Sequence, residues 1–148
     1  MEKIERSMEE QVWRRVIGTP EPMREDIRPL LLAAWEAASL YRHLAGLMTG
    51  RTRERAKLLE RRGMDSVAAL KGILRLSGGQ PGNLLPVPIP KEPARRLLEK
   101  RYFRSLHLMA EYTARALDPE FGVVFQQLAD RERQNSTALA ELLGRLEA

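Results

Sequence analysis

Glu132 and Asn135 stand three residues apart with Leu139 four further on, and the same step recurs at Gly63, Ser66 and Leu70. Each copy follows a tyrosine, Tyr41 or Tyr112, and the two tyrosines are 71 residues apart. Seven residues before each tyrosine, two helical turns back on the same face, lie Ala34 and Ser105. This internal echo predicts that Ala34, Gly63, Ser66, Ser105, Glu132 and Asn135 meet in one layer of a helical core, beside Tyr41 and Tyr112. Within that layer only Glu132 has acid or base chemistry, and a carboxyl in an apolar core tends to keep its proton. The plainer expectation is that Asn135, a tyrosine hydroxyl, a serine or a trapped water satisfies it. Ser66 and Ser105 lack an inward His or Lys to activate them as nucleophiles. The tyrosines gain a redox role only beside a metal; otherwise they pack and hydrogen-bond.

Other chemistry is excluded by composition and placement. The chain has no cysteine, so disulfides, thiolate metal sites and cysteine nucleophiles are ruled out. His43 and His107 each follow an inward position by two residues, which turns them roughly 200° away on a helix of 3.6 residues per turn. Glu36 and Glu111 are also off the inward stripe, and only a register shift of one turn would bring another acid closer. No catalytic residue, metal ligand or cofactor is therefore predicted. The cluster Arg51, Arg53, Arg55, Lys57, Arg61 and Arg62 could face phosphates, and 25 Lys+Arg against 20 Asp+Glu leave a net charge of +5. Glu54 and Glu60 interrupt the cluster and no aromatic platform accompanies it, so it reads as a solvated helix face without a nucleic-acid partner.

The elements that must position these residues are all helices. Among 148 residues, 43% hydrophobic and 30% charged, Ala, Leu, Arg and Glu dominate between clusters of Gly and Pro, which suits one all-α domain. An amphipathic N-terminal helix is expected over about residues 3–17, with Ile4, Met8, Val12 and Val16 one turn apart and Trp13 alongside, then a linker to residue 23. Residues 24–148 divide into four long helices, from near Asp26 to Met48, Thr52 to Leu76, Pro93 to Leu117, and from an Asp118 cap to Leu146. Their inward stripes step alternately three and four residues, as in coiled-coil-like bundles. The first is Ile27, Leu31, Ala34, Ala38, Tyr41, Ala45, Met48, and the second is Ala56, Leu59, Gly63, Ser66, Leu70, Ile73. The third is expected through Leu98, Tyr102, Ser105, Met109, Tyr112 and Ala116, and the fourth runs from Phe121 and Phe125 through Leu128, Glu132, Asn135, Leu139 and Leu142 to Leu146. Between the second and third helices, residues 77–90 hold four of the nine prolines and three of the ten glycines, so they form a crossover and not a helix.

A bundle with short first and last links and a long crossover, two paired tyrosines, an Asp118-Pro119 turn and the run Phe125, Leu128, Ala129, Glu132 resembles the ferritin-like superfamily. The resemblance is specifically to the rubrerythrin-like di-iron carboxylate proteins, over about residues 24–147. It implies a ferritin-like antiparallel bundle and a di-metal layer in which two helices give one Glu each and two give Glu-x-x-His. Matched by position, Ala34 and Ser105 stand where the lone glutamates belong, Gly63 and Ser66 where the first Glu-x-x-His belongs, and Glu132 and Asn135 where the second belongs. Five of the six ligands are missing, and one glutamate with an amide cannot balance the roughly four positive charges of two divalent ions. The resemblance therefore implies a degenerate site, a protein acting as a structural or binding module and not as an oxidase. The competing expectation is a rubrerythrin-like oxidoreductase, peroxide-reducing or ferroxidase, holding iron or manganese on non-standard ligands. The lost side-chain volume must be closed up, filled by Trp35 or Met64, or left as a cavity for a small-molecule ligand. With no membrane-spanning stretch and no apolar start, a cytoplasmic protein is expected. The apolar face of the N-terminal helix favours a homodimer, and hetero-oligomerisation with an intact relative is a further expectation.

Overall fold

The computed structural model describes residues 24–147; the helix expected over residues 3–17 lies outside them. Four long helices are observed, α1 over Arg28–Leu47, α2 over Gly50–Leu76, α3 over Ala94–Ala114 and α4 over Gly122–Glu147, with no strand among the described residues. Short 3-10 turns at Glu25–Ile27 and Arg115–Leu117 lead into α1 and out of α3. Pro29 sits in the first turn of α1, where its missing N–H has no helical acceptor to lose. The start of α2 is earlier than expected, at Gly50, because the Thr52 hydroxyl folds back to donate to the Thr49 carbonyl at 2.6 Å and does not cap the helix. Asp118 does accept from the backbone N–H groups of Glu120 and Phe121, both at 3.0 Å, but residues 119–121 form a turn and regular helix begins at Gly122.

The inward stripes of α1, α2 and α4 are buried in the expected register, save that Leu146 is 41% exposed. The stripe of α3 differs. It runs Leu98, Arg101, Ser105, Leu108, Tyr112, whereas Tyr102 and Met109 are only partly buried. Both paths keep the alternating step, so the apolar residues misplace the phase by one position at two points.

Two apolar clusters fix the direction of every helix. One joins Leu31 near the start of α1, Ile73 at the end of α2, Tyr112 at the end of α3 and Phe125 at the start of α4. The other joins Ala45 in the last turn of α1 and Met48 just after it, Ala56 near the start of α2, Leu98 near the start of α3 and Leu142 late in α4. Hence α1 and α2 form one antiparallel hairpin, α3 and α4 form another, and the middle helices α2 and α3 run parallel. The 17 residues between them travel the length of α1. Arg28 donates to the carbonyls of Gln80 and Pro81 at 3.3 and 3.4 Å, and the Trp35 indole N–H donates to the Leu85 carbonyl at 2.8 Å. Trp35 thus anchors the crossover and does not fill the core, and Met64 is exposed. Within and between hairpins, α1 lies along α2, α3 along α4, and α2 against α4, while α1 and α3 barely touch.

At the end where the crossover leaves α2, Arg24 binds Asp118 at 2.6 Å and Asp26 at 3.1 Å, Arg115 also binds Asp26, and the two guanidiniums lie over Phe121 and Phe125. The turn they cover is tight. A Cβ on Gly122 would collide with the Ala116 carbonyl oxygen, which belongs to backbone that cannot swing aside. Gly122→Ala is expected to destabilise by about 2 kcal/mol or more, because the turn must open to admit it. Gly72→Ala, in the interior of α2 with nothing within 4 Å of the new Cβ, is expected to stabilise by about 0.5–1 kcal/mol. Urea unfolding of both variants checks the pair of signs.

Candidate functional site

A polar layer separates the two apolar clusters. Ser66, Ser105, Glu132 and Asn135 are all buried there. Ser105 Oγ donates to Glu132 Oε1 at 2.6 Å, and Asn135 Nδ2, one turn along the same helix, donates to Oε2 at 3.3 Å. Both carboxyl oxygens are therefore used. Burial pushes the Glu132 pKa above the ordinary carboxylate range, against the pull of Ser105, Arg101, Asn135 and Arg131. The tyrosines do not help to satisfy it. Tyr41 and Tyr112 are fully buried, their hydroxyls have no hydrogen-bond partner among the described residues, and burial raises both pKa values.

The other half of the layer is closed by contact. A Cβ on Gly63 would sit 3.1 Å from the Ala38 Cβ and 3.2 Å from its Cα, so the absent side chain is what lets α1 and α2 approach here. Ala34 is buried in the apolar cluster with Tyr112 and Leu128, and Ser66 Oγ accepts from the Arg131 guanidinium at 3.2 Å. The volume is thus removed by helix approach. Carried to the di-metal layer that the resemblance implies, the residues present do not fit. The single carboxyl is committed to two donors, a glutamate at position 63 would meet Ala38, and the charges acting on Glu132 are two guanidiniums that repel divalent cations. No three His, Asp or Glu side chains converge on one point among the described residues. His43 and His107 are exposed, with His107 Nε2 3.3 Å from Glu111 on the outer surface of α3. Glu36 is likewise exposed, 4.0 Å from Arg104.

Arg101 is the functional-site residue that sequence reasoning missed. It is only 4% exposed, and among the described residues its Nε–H has no partner and it makes no ion pair. It also lines two adjoining grooves along the gap between α1 and α3. One, about 190 Å³, is walled by Leu40, Ile89, Leu97 and Lys100; the other, about 510 Å³, by Leu30, Ala33, Phe103 and Leu108. The basic cluster on α2 stays at the surface, where Arg55 pairs with Glu141 across to α4.

Because folding raises the Glu132 pKa, the stability this group contributes is complete below the ordinary glutamate range, near pH 4.3, and is lost as pH rises through its folded value. Glu132→Gln removes that loss. The unfolding free energy of E132Q relative to the native chain is expected to rise between pH 4 and pH 8. Asp26 and Asp118, held below their usual range by Arg24, act with the opposite sign in both proteins and cancel in the difference. A difference that stays flat or narrows contradicts the assignment. Tyr41→Phe deletes a partnerless buried hydroxyl and is expected to stabilise by about 1 kcal/mol in urea; a loss of stability would reveal a partner for it.

No protein-family model, curated protein or solved structure matches this chain.

Proposed function

We propose that this chain is a non-catalytic binding or structural module built on a ferritin-like bundle, in which the di-metal layer of that architecture has become a self-contained polar network. The observation that carries the reading is the commitment of both Glu132 oxygens to Ser105 and Asn135, with Arg101 and Arg131 supplying the opposing charge. In place of imported cations, the layer is balanced by the protein's own guanidiniums and hydrogen bonds. Parallel middle helices joined by a crossover along α1 support the ferritin-like part of the reading. A homodimer completes it, supported by the apolar positions Ile4, Met8, Val12 and Val16.

Protein expressed with added iron and manganese and dialysed against chelator is expected to carry less than about 0.1 metal ion per chain and to melt at the same temperature with and without chelator. About two ions per chain surviving dialysis, or a melting point that falls when they are stripped, would overturn the module in favour of an oxidoreductase.

A further inference from the structure

A buried arginine normally pairs with a carboxylate, since an uncompensated guanidinium out of water costs several kcal/mol. Arg101 has none within ion-pair distance among the described residues, yet its two neighbours on α3 do. Lys100 Nζ lies 2.6 Å from Glu92 Oε1, and Arg104 Nη1 lies 4.0 Å from Glu36 Oε2. The acids on the rim of the groove therefore neutralise the cations on the rim. The charge left over is the one at the bottom. Around it the walls are apolar: Leu40 and Ile89 pack on the core from the outside, and Leu97 is buried beneath them.

We propose that this groove, between α1, α3 and the crossover, binds a monocarboxylate with an apolar body, its carboxylate on the Arg101 guanidinium and its body along Leu40, Ile89 and Leu97. Glu132 offsets the Arg101 charge only from a distance, and the Nε–H finds no partner among the described residues, so the guanidinium has donors to give to one carboxylate. A planar guanidinium prefers a planar carboxylate, to which it can give two parallel hydrogen bonds. The volume of about 190 Å³ is that of a ligand of roughly eight heavy atoms, given that a cavity of about 150 Å³ takes a benzene. Arg101 and Arg104 also line the larger groove beside it, so a longer body has somewhere to extend. A polyanion is disfavoured because Glu36 and Glu92 flank the opening. The inference deepens the binding-module reading and rests on it.

The test uses the full-length chain with octanoate, benzoate and uncharged 1-octanol as probes. Octanoate and benzoate are expected to bind saturably with Kd values of about 0.1–1 mM in calorimetry, and octanoate at 10 mM is expected to raise Tm by a few degrees. 1-Octanol, with the same chain and no charge, is expected to bind at least about tenfold more weakly. Amide NMR shifts on titration are expected to concentrate at Leu40, Ile89 and Leu97. Arg101→Met preserves the bulk and removes the charge, so it is expected to fold with equal or higher Tm and to lose octanoate binding by tenfold or more. Arg101→Lys, which keeps the charge but not the fork, is expected to fall between. Equal binding of octanol and octanoate, full binding by R101M, shifts centred elsewhere, or no saturable binding would each overturn the proposal. Metal content measured on the same preparations keeps the two readings apart. Metal-free protein that ignores octanoate sinks the ligand alone, whereas stoichiometric metal sinks the module whatever octanoate does.

Discussion

Taking a carboxyl group out of water is the demand around which this bundle is arranged. Glu132 is 4% exposed at the centre of four helices, and everything near it answers that burial. A serine from α3 and an amide from its own helix occupy the two oxygens, and guanidiniums from α3 and α4 act on its charge. Buried polar groups arranged in this way favour one register over its neighbours, because sliding a helix by one residue would leave every member without its partner. The two apolar clusters on either side supply the bulk of the burial. The layer between them supplies the selection.

The layer is also asymmetric, and the asymmetry follows from side-chain size. In the α3–α4 hairpin the positions hold Ser105, Glu132 and Asn135, which reach one another. In the α1–α2 hairpin they hold Ala34, Gly63 and Ser66, of which only Ser66 makes a hydrogen bond, from Arg131 of α4 and not within its own hairpin, and the backbones close up at Gly63 against Ala38. One hairpin is held at this level by hydrogen bonds and the other by contact. The price of the second solution appears across the bundle, where α1 and α3 barely meet and a groove runs between them.

Much of this was legible in the sequence. The stripes of α1, α2 and α4 lie on the faces that spacing selects, and in α1 the competing path through Leu30, Ala37 and Leu44 is buried as well, so either choice finds the same face. In α3, Tyr102 and Met109 are apolar neighbours of Arg101 and Leu108, and a rule that puts arginine outside selects the wrong pair. That one phase error hid Arg101, and with it the groove, whose existence depends on the distance between two helices remote in the chain. A cue was present: Leu98, Arg101, Ser105, Leu108 and Tyr112 also step three and four. Trp35 was misplaced for a related reason. Its size suggested the core, but its indole N–H needs an acceptor, and the proline-rich crossover offers free carbonyls. Of the partners the sequence offers Glu132, which are Asn135, a serine, a tyrosine hydroxyl or a water, the first two are used, and the distance by which the tyrosine hydroxyls fall short is set by packing that spacing does not encode.

The crossover that Trp35 and Arg28 hold against α1 has an effect on assembly. Each hairpin is internally continuous, and a single strap of 17 residues connects them. Two chains could therefore trade hairpins and rebuild the same inter-hairpin surfaces, giving an interlocked pair at little cost in contacts. What keeps the halves of one chain together is the docking of that strap along its own first helix, which holds the second hairpin close at hand and makes self-closure faster than exchange. An indole and a guanidinium on the crossover side of α1 thus favour closure of each chain on itself.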